Sequence, residues 1–322
     1  MSLLSGPHAP ILTVTLNPAL DFAGAVAQVL PNRKLRMGSV LTDPGGGGIN
    51  MARIVARLGG KATAAVSLGG VLGAEIARLL AADGIAQLSL PCAGDSRQSL
   101  SVTDDSDGRQ YRFVMPGPEW DAAGADAALD TLAGAMQPGG WVALSGSNPP
   151  GLDHGFAARL AQRVAAGGAS LLVDTSGPAL KALAAVQADI AVLRIDRAEA
   201  EDLAGRPLPL AQDTAAFAQA LVGRGVAQVV ALARGAEGNV LATAAGAWHA
   251  RAVPVEVISA VGAGDSFAAG LLLGRARGGD WPDALALAAA CATATCMRPA
   301  TRLGSARDIA HYLAQGKITR LA

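Results

Sequence analysis

Two rhythms of apolar and polar residues divide this chain. In the stretches 22–42 and 97–115 the two kinds alternate, as in Ser99-Leu100-Ser101-Val102 and Gln110-Tyr111-Arg112-Phe113-Val114. A period of two gives a strand one packed face and one wet face, the pattern of antiparallel pairs. Asp104-Asp105-Ser106-Asp107-Gly108 supplies a hairpin turn within the second stretch. From about residue 122 the rhythm changes. Short unbroken apolar runs at 142–144, 170–173, 190–193 and 229–232 are separated by Ala-rich segments of helical character. Strands apolar on both faces that alternate with helices imply a parallel sheet covered on both sides. A first strand is expected at 11–16, and a late hairpin from 240–242 and 248–252. The pattern therefore predicts one α/β domain over residues 1–322, doubly wound around a mostly parallel sheet. The two alternating stretches would form a small β-strand lid.

Composition narrows the choices by exclusion. A chain of 322 residues with 51% hydrophobic and 16% charged residues buries a large core and is not disordered. Lys+Arg and Asp+Glu are both 26, so the net charge is +0, which argues against a nucleic-acid or anionic-membrane binder. The three cysteines, Cys92, Cys291 and Cys296, form no CxxC pair, as expected of reduced thiols in a cytoplasmic protein. The histidines lie far apart, with no zinc-ligand spacing. The longest apolar candidate, around 285–297, is too short for a membrane span, and no signal peptide is read.

Candidate chemistry centres on Val261-Gly262-Ala263-Gly264-Asp265-Ser266. A strand or extended run, 252–258, precedes it and a long Ala-rich helical segment follows. Glycines at a helix start leave N–H groups uncovered where the helix dipole favours negative charge. A carboxylate there suits phosphoryl transfer. Amides of Gly262, Ala263 and Gly264 would hold developing phosphate charge, and Asp265 would take the proton of an attacking hydroxyl. A lone Gly-Asp pair would only complement a dipole, so the other motifs matter. Pro44-Gly45-Gly46-Gly47-Gly48-Ile49-Asn50 runs straight into a helically spaced segment, where a flexible linker would not. Such glycines mark close approach to a ligand. No GxxxxGK[ST] is present, which excludes a P-loop, and Gly69-Gly70-Val71-Leu72-Gly73 is a poor dinucleotide fingerprint.

Together these motifs resemble the ribokinase-like (PfkB) sugar kinases over about residues 11–313, closest to the 6-phosphofructokinase and tagatose-6-phosphate kinase branch. The resemblance implies ATP-dependent phosphorylation of a sugar phosphate, with fructose 6-phosphate first among acceptors. 1-Phosphofructokinase or tagatose-6-phosphate kinase activity is the near alternative. A nucleoside kinase, or a sugar-phosphate-binding protein with weak catalysis, is the distant one. It further implies that Asp21, Gly46, Gly47, Asn50 and Ser147 hold the sugar, and that Lys34 and Arg97 hold its phosphate by charge-assisted bonds. ATP would lie near Arg194, Asp196, Ala233, Gly235 and Gly238. Mg²⁺ would be oriented by Asp196 and Glu199 through waters. K⁺ or another monovalent cation would lie against backbone carbonyls around Ser259, Val261 and Arg298.

Two positions depart from the family. Arg194-Ile195-Asp196-Arg197-Ala198-Glu199 stands where Lys-Pro-Asn-x-x-Glu is usual, and Ala233 where Ser or Thr is usual. Both fall on the nucleotide side. The open edges of the lid predict a homodimer in which two lids pair.

Overall fold

In a computed structural model describing residues 3–299 and 301–321, the apolar runs become the centre of one large sheet. The first part of the chain gives β1 (Ile11–Thr15), β2 (Ala19–Val26), β3 (Leu41–Gly45), α1 (Gly47–Arg57), β4 (Thr63–Ser67), α2 (Gly70–Ala82), β5 (Ala86–Leu90), β6 (Arg97–Asp104) and β7 (Gln110–Val114). Helix and strand then alternate through α3 (Ala122–Ala135), β8 (Trp141–Ser145), α4 (Phe156–Ala166), β9 (Ser170–Asp174), α5 (Gly177–Ala184), β10 (Ile190–Ile195), α6 (Arg197–Ala204), α7 (Ala211–Gly223) and β11 (Ala227–Ala233). The chain ends with β12 (Asn239–Thr243), β13 (Gly246–Arg251), α8 (Ala263–Ala276), α9 (Trp281–Cys296), α10 (Ala306–Gln315) and β14 (Lys317–Arg320).

The main sheet has the order β14-β13-β12-β11-β10-β9-β8-β1-β4-β5. Its strands from β5 to β11 are mutually parallel, and β12, β13 and β14 are antiparallel additions at one edge. Helices α3 to α7 pack on one face around Leu129, Phe156, Leu160 and Leu221. Helices α1, α8, α9 and α10 cover the other around Met51, Ile54, Phe267 and Leu272. The fold is thus α/β and doubly wound.

Small residues set the closest helix contact. A Cβ at Gly270 would lie 2.7 Å from Ala288 Cα, and one at Gly274 would lie 2.8 Å from Ala284 Cα. The backbones of α8 and α9 meet because neither carries a larger side chain there. This packs the second half of α8 directly against α9.

The second sheet, β3-β2-β6-β7, is the lid. It starts at Ala19 and ends its first hairpin at Gly45, so it extends beyond 22–42, while 27–40 is irregular. Asp104 makes the expected turn, accepting from the Ser106 amide at 2.9 Å. The back of the lid is not wholly open: Leu20 and Phe22 pack with Ile76 and Leu80 of α2. The run 252–258 stays extended but joins neither sheet, and β4, β5 and β14 add strands that the apolar rhythm does not mark. No helix among the described residues is long and apolar enough to cross a membrane.

Candidate active site

The carboxyl ends of the parallel strands form the floor of the site. Register places Ser145, Asp174 and Arg194 abreast at the ends of β8, β9 and β10. The lid leaves the sheet directly after β1, which carries Asp21 over the same end. Helix α1 descends onto this floor. Its second residue, Gly48, is so near the Val14 carbonyl that a Cβ there would lie 2.6 Å from the oxygen. Its leading amide at Ile49 donates to Thr15 Oγ1 at 3.0 Å, satisfying a group that a helix start leaves open.

Two cavities flank the start of α8. The smaller, about 230 Å³, lies under the lid and is lined by Asp21, Asn50, Arg97, Ser147, Gly262 and Asp265, among others. The larger, about 590 Å³, has mainly apolar walls that include Ala233, Val253, Phe267 and Cys296, with Arg194 and Gly264 also on its lining. The first turn of α8 is the shared wall: Gly262 and Asp265 face the first cavity, and Ala263 and Gly264 face the second. A group transferred between occupants of the two cavities crosses at this helix start.

Gly262 caps α8 with φ 76°, a left-handed conformation that favours glycine. The Ala263 amide donates to the Ala260 carbonyl at 3.2 Å, so it is committed to a turn. That leaves the Gly262 and Gly264 amides as the anion donors of the expected three. Asp265 accepts from Asn50 Nδ2 at 2.8 Å. Burial pushes its carboxyl above the usual range, and the Asp174 charge adds to this, while Asn50, Arg194 and Arg112 oppose it. Asp21 is pushed up to about 6 by burial, against the charges of Arg97 and Arg112 and a hydrogen bond from Ser99.

Arg97 lines the sugar-sized cavity, braced by donation from Nε and Nη2 to the Asn17 carbonyl at 3.2 and 3.1 Å. Lys34 is not brought there: it is exposed on the irregular 27–40 segment, away from the cavity of its own chain. Arg112 takes a place on the cavity wall instead. Sequence reasoning missed it. Its register opposite Ser101, two residues from Val114 opposite Ser99, puts it on the inward face of β7. The alternation at 110–114 held that signal, but an arginine on a wet face looks the same as one on a substrate.

On the nucleotide-sized side, Ala233, Gly235 and Arg194 line the larger cavity, and Gly238 shapes the loop beside it with φ 104°. Asp196 and Glu199 form a capping box at the start of α6. Asp196 Oδ1 accepts from the Glu199 amide at 2.9 Å, and Glu199 Oε2 accepts from the Asp196 amide at 2.8 Å. Among the described residues no three His, Cys, Asp or Glu side chains are clustered to hold a metal directly. The amides of Ile258 and Ser259 donate to the Cys296 carbonyl at 2.8 and 3.2 Å, which brings 258–261 against the end of α9. The Arg298 side chain turns away to an ion pair with Asp308.

Comparison with known proteins agrees with this geometry. The family model described as pfkB family carbohydrate kinase matches residues 16–308. An ATP-dependent 6-phosphofructokinase isozyme 2 from Mycobacterium tuberculosis is 35% identical over 302 residues, covering 94% of this chain and 88% of that protein. A 1-phosphofructokinase from Xanthomonas campestris is 34% identical over 262 residues, covering 81% and 82%. The solved structure of phosphofructokinase-2 from Escherichia coli in complex with potassium superposes with a TM-score of 0.89 at 32% identity, covering 95% of this chain and 99% of that one.

Proposed function

This chain belongs to the pfkB family of carbohydrate kinases, and from that premise we propose that it phosphorylates fructose 6-phosphate with ATP, giving fructose 1,6-bisphosphate and ADP. The observation that carries this reading is the pair of cavities flanking the first turn of α8 at Gly262–Asp265. The smaller is polar and holds two arginines, as a sugar phosphate needs; the larger has the apolar walls that a purine needs.

The chain's own residues divide the work. Asp21, Asn50 and Ser147 position the sugar hydroxyls, and Gly46 and Gly47 let it approach the backbone. Arg97 and Arg112 meet its phosphate. Asp265 accepts the proton of the attacking hydroxyl, and the Gly264 amide with the α8 dipole supports the oxygens of the transferring group. Asp196 and Glu199 each have a second carboxylate oxygen beyond the capping box, which fits Mg²⁺ held through waters rather than in a protein cage. Mg²⁺ would supply charge neutralisation between the phosphates. The carbonyls around Ser259, Val261 and Arg298 are the place for K⁺. We place the reaction in the cytoplasm, where the unpaired cysteines stay reduced.

A homodimer through the lids is part of this reading. Phe113 is 52% exposed on the lid, and Leu35 and Val40 are exposed as well. Pairing would cover them and bring the basic segment around Lys34 to a second subunit. A tetrameric inhibited form has been solved for the Escherichia coli relative.

The 1-phosphofructokinase relative supports a second reading, fructose 1-phosphate as acceptor. ADP release measured across fructose 6-phosphate, fructose 1-phosphate, tagatose 6-phosphate, free fructose and nucleosides separates them. Preference for an uncharged acceptor would overturn the sugar-phosphate assignment.

A further inference from the structure

One face of α1 reaches three different parts of the molecule. Asn50, Arg53 and Arg57 stand at i, i+3 and i+7 on this helix. Asn50 meets Asp265, Arg53 meets the lid, and Arg57 meets the segment between α9 and α10. Arg53 Nη2 donates to Asp43 Oδ1 of β3 at 3.2 Å, and its Nε donates to Asp83 Oδ2 at 2.7 Å. Asp43 Oδ2 also accepts from Thr301 Oγ1 at 2.7 Å, across 258 residues of sequence. Thr301 is buried, and its hydroxyl joins the lid to the segment after α9. That segment backs onto the start of α8: a Cβ at Gly262 would lie 3.0 Å from Leu303 Cδ2. Arg57 Nη1 donates to the Leu303 and Gly304 carbonyls. The Gly304 amide donates to Thr295 Oγ1 at 3.0 Å, which lies 2.8 Å from Ser266 Oγ of α8. A structural ion pair would account for the Arg53–Asp43 contact alone. Two observations ask for more. Asp43 stands directly opposite Asp21 in the β2–β3 register, and acids facing each other across a strand pair cost stability. Arg53 Nη1 is buried with no hydrogen-bond partner among the described residues, so the fork keeps a donor in reserve.

We propose that Asp43 and Thr301 are positioning residues that carry the lid's hold on the sugar phosphate to the first turn of α8. This rests on the kinase reading above and deepens it. Strands β2 and β3 are hydrogen-bonded in register, so a sugar phosphate that draws on Asp21 also shifts Asp43. Asp43 takes the Thr301 hydroxyl with it, and Leu303 follows against Gly262. Arg57 and Thr295 hold the far end of the segment, so the shift is delivered at Leu303 and not lost in a free loop. The reserve donor of Arg53 lets Asp43 move without leaving the guanidinium. An acceptor under the lid and a nucleotide beside α8 then favour one and the same arrangement, and each tightens the other by the same factor. The amides at the start of α8 are thereby set when an acceptor is in place, which disfavours transfer to water.

The test reads binding without turnover on the full-length protein: Kd for Mg-ADP by calorimetry, alone and with saturating fructose 6-phosphate. Thr301→Val, Thr301→Ser, Asp43→Ala and the Thr301→Val/Asp43→Ala double variant are compared with wild type. In wild type, fructose 6-phosphate tightens Mg-ADP on the order of tenfold, within the usual range for coupled sites. Thr301→Val keeps the shape and removes the hydroxyl. It abolishes the tightening, while each ligand alone binds within about threefold of wild type. Its KM for fructose 6-phosphate at saturating ATP rises about tenfold, by the same reciprocity, although the Kd without nucleotide does not. A merely structural role would move both. Thr301→Ser retains the hydroxyl and the tightening. Asp43→Ala loses the tightening, and the double variant loses no more than either single one, as for two residues acting as one unit. Full tightening in Thr301→Val overturns the proposal, as does a wild type without any. A Thr301→Ser protein as defective as Thr301→Val also overturns it, by assigning the effect to packing of the methyl group. If Thr301→Val does not fold, Asp43→Ala decides: full tightening there overturns the proposal and its loss supports it. Absence of ADP release in the wild type with every sugar phosphate is a different failure, that of the kinase reading.

Discussion

Asn50 Nδ2 donates to Asp265 Oδ2 at 2.8 Å, across 215 residues of sequence. The amide that the glycine run delivers to the sugar cavity therefore also aims the base and favours its ionised form. Its bond acts against the burial and the Asp174 charge that push the Asp265 carboxyl up; Arg194 and Arg112 act in the same sense as Asn50. Asp265→Asn should lower kcat by at least ~10²-fold with sugar-phosphate binding retained. In Asn50→Ala the carboxyl loses a stabilising donor, its pKa rises further, and the acid limb of the kcat profile moves to higher pH. An unmoved limb would show that Asn50 touches substrate alone.

Asp21 links acceptor binding to stability. A carboxylate receives two hydroxyl donors only when ionised, so KM for the sugar phosphate should climb as pH falls through about 6. The folded state binds this proton more tightly than the unfolded chain, whose Asp titrates near about 3.9. Stability is therefore lost as pH rises between those two values. Asp21→Asn should raise Tm at neutral pH, leave it little changed near the unfolded value, and raise KM at neutral pH. Thermal melts beside kinetics at both pH values check this; equal Tm at neutral pH would contradict it.

The lid arginines carry the third prediction. Arg97→Ala and Arg112→Ala should each raise KM for a hexose phosphate roughly ten- to hundredfold, the worth of a charge-assisted contact, with ATP binding little changed. Lys34→Ala should do so only if the protein is a dimer in which that segment reaches the partner's cavity. Sedimentation of wild type and of Phe113→Asp, which places a charge on the exposed lid face, decides whether the lids pair.

A fourth concerns the nucleotide side. Glu199→Gln should raise the Mg²⁺ needed for half-maximal activity more than it raises KM for the sugar phosphate. Ala233→Ser should tighten ATP. An unchanged Mg²⁺ requirement would leave Asp196 and Glu199 as a helix cap and nothing more.

Much of this architecture was legible from rhythm. The unbroken runs at 142–144, 170–173, 190–193 and 229–232 lie within β8, β9, β10 and β11, because strands buried on both faces have no polar side to show. The glycine-opened helix at 262 was legible because a left-handed cap and an uncovered amide call for that residue. Strand β5 was not: as a sheet edge it exposes Ala86, Gln87 and Ser89, and its sequence reads as loop. Asp174 and Arg112 were also hidden. One is the last residue of an apolar run and the other a basic residue on a wet strand, and only register across strands brings either to the site. Lys34 shows the converse, a resemblance that placed a residue where its own chain does not carry it.

The glycines of 45–48 each answer to a different neighbour: Asp21, Thr15, Ser145 and the Val14 carbonyl. They are four separate sockets, and none can be filled without moving a strand end or a functional side chain. Mutational drift is therefore shut out of the hydroxyl-reading half of the cavity. It remains open on the lid, where Ser99, Arg112 and Val114 stand on strands that no helix start has to meet. New acceptors in this lineage should arise by changes in the lid, with the glycine run inherited intact.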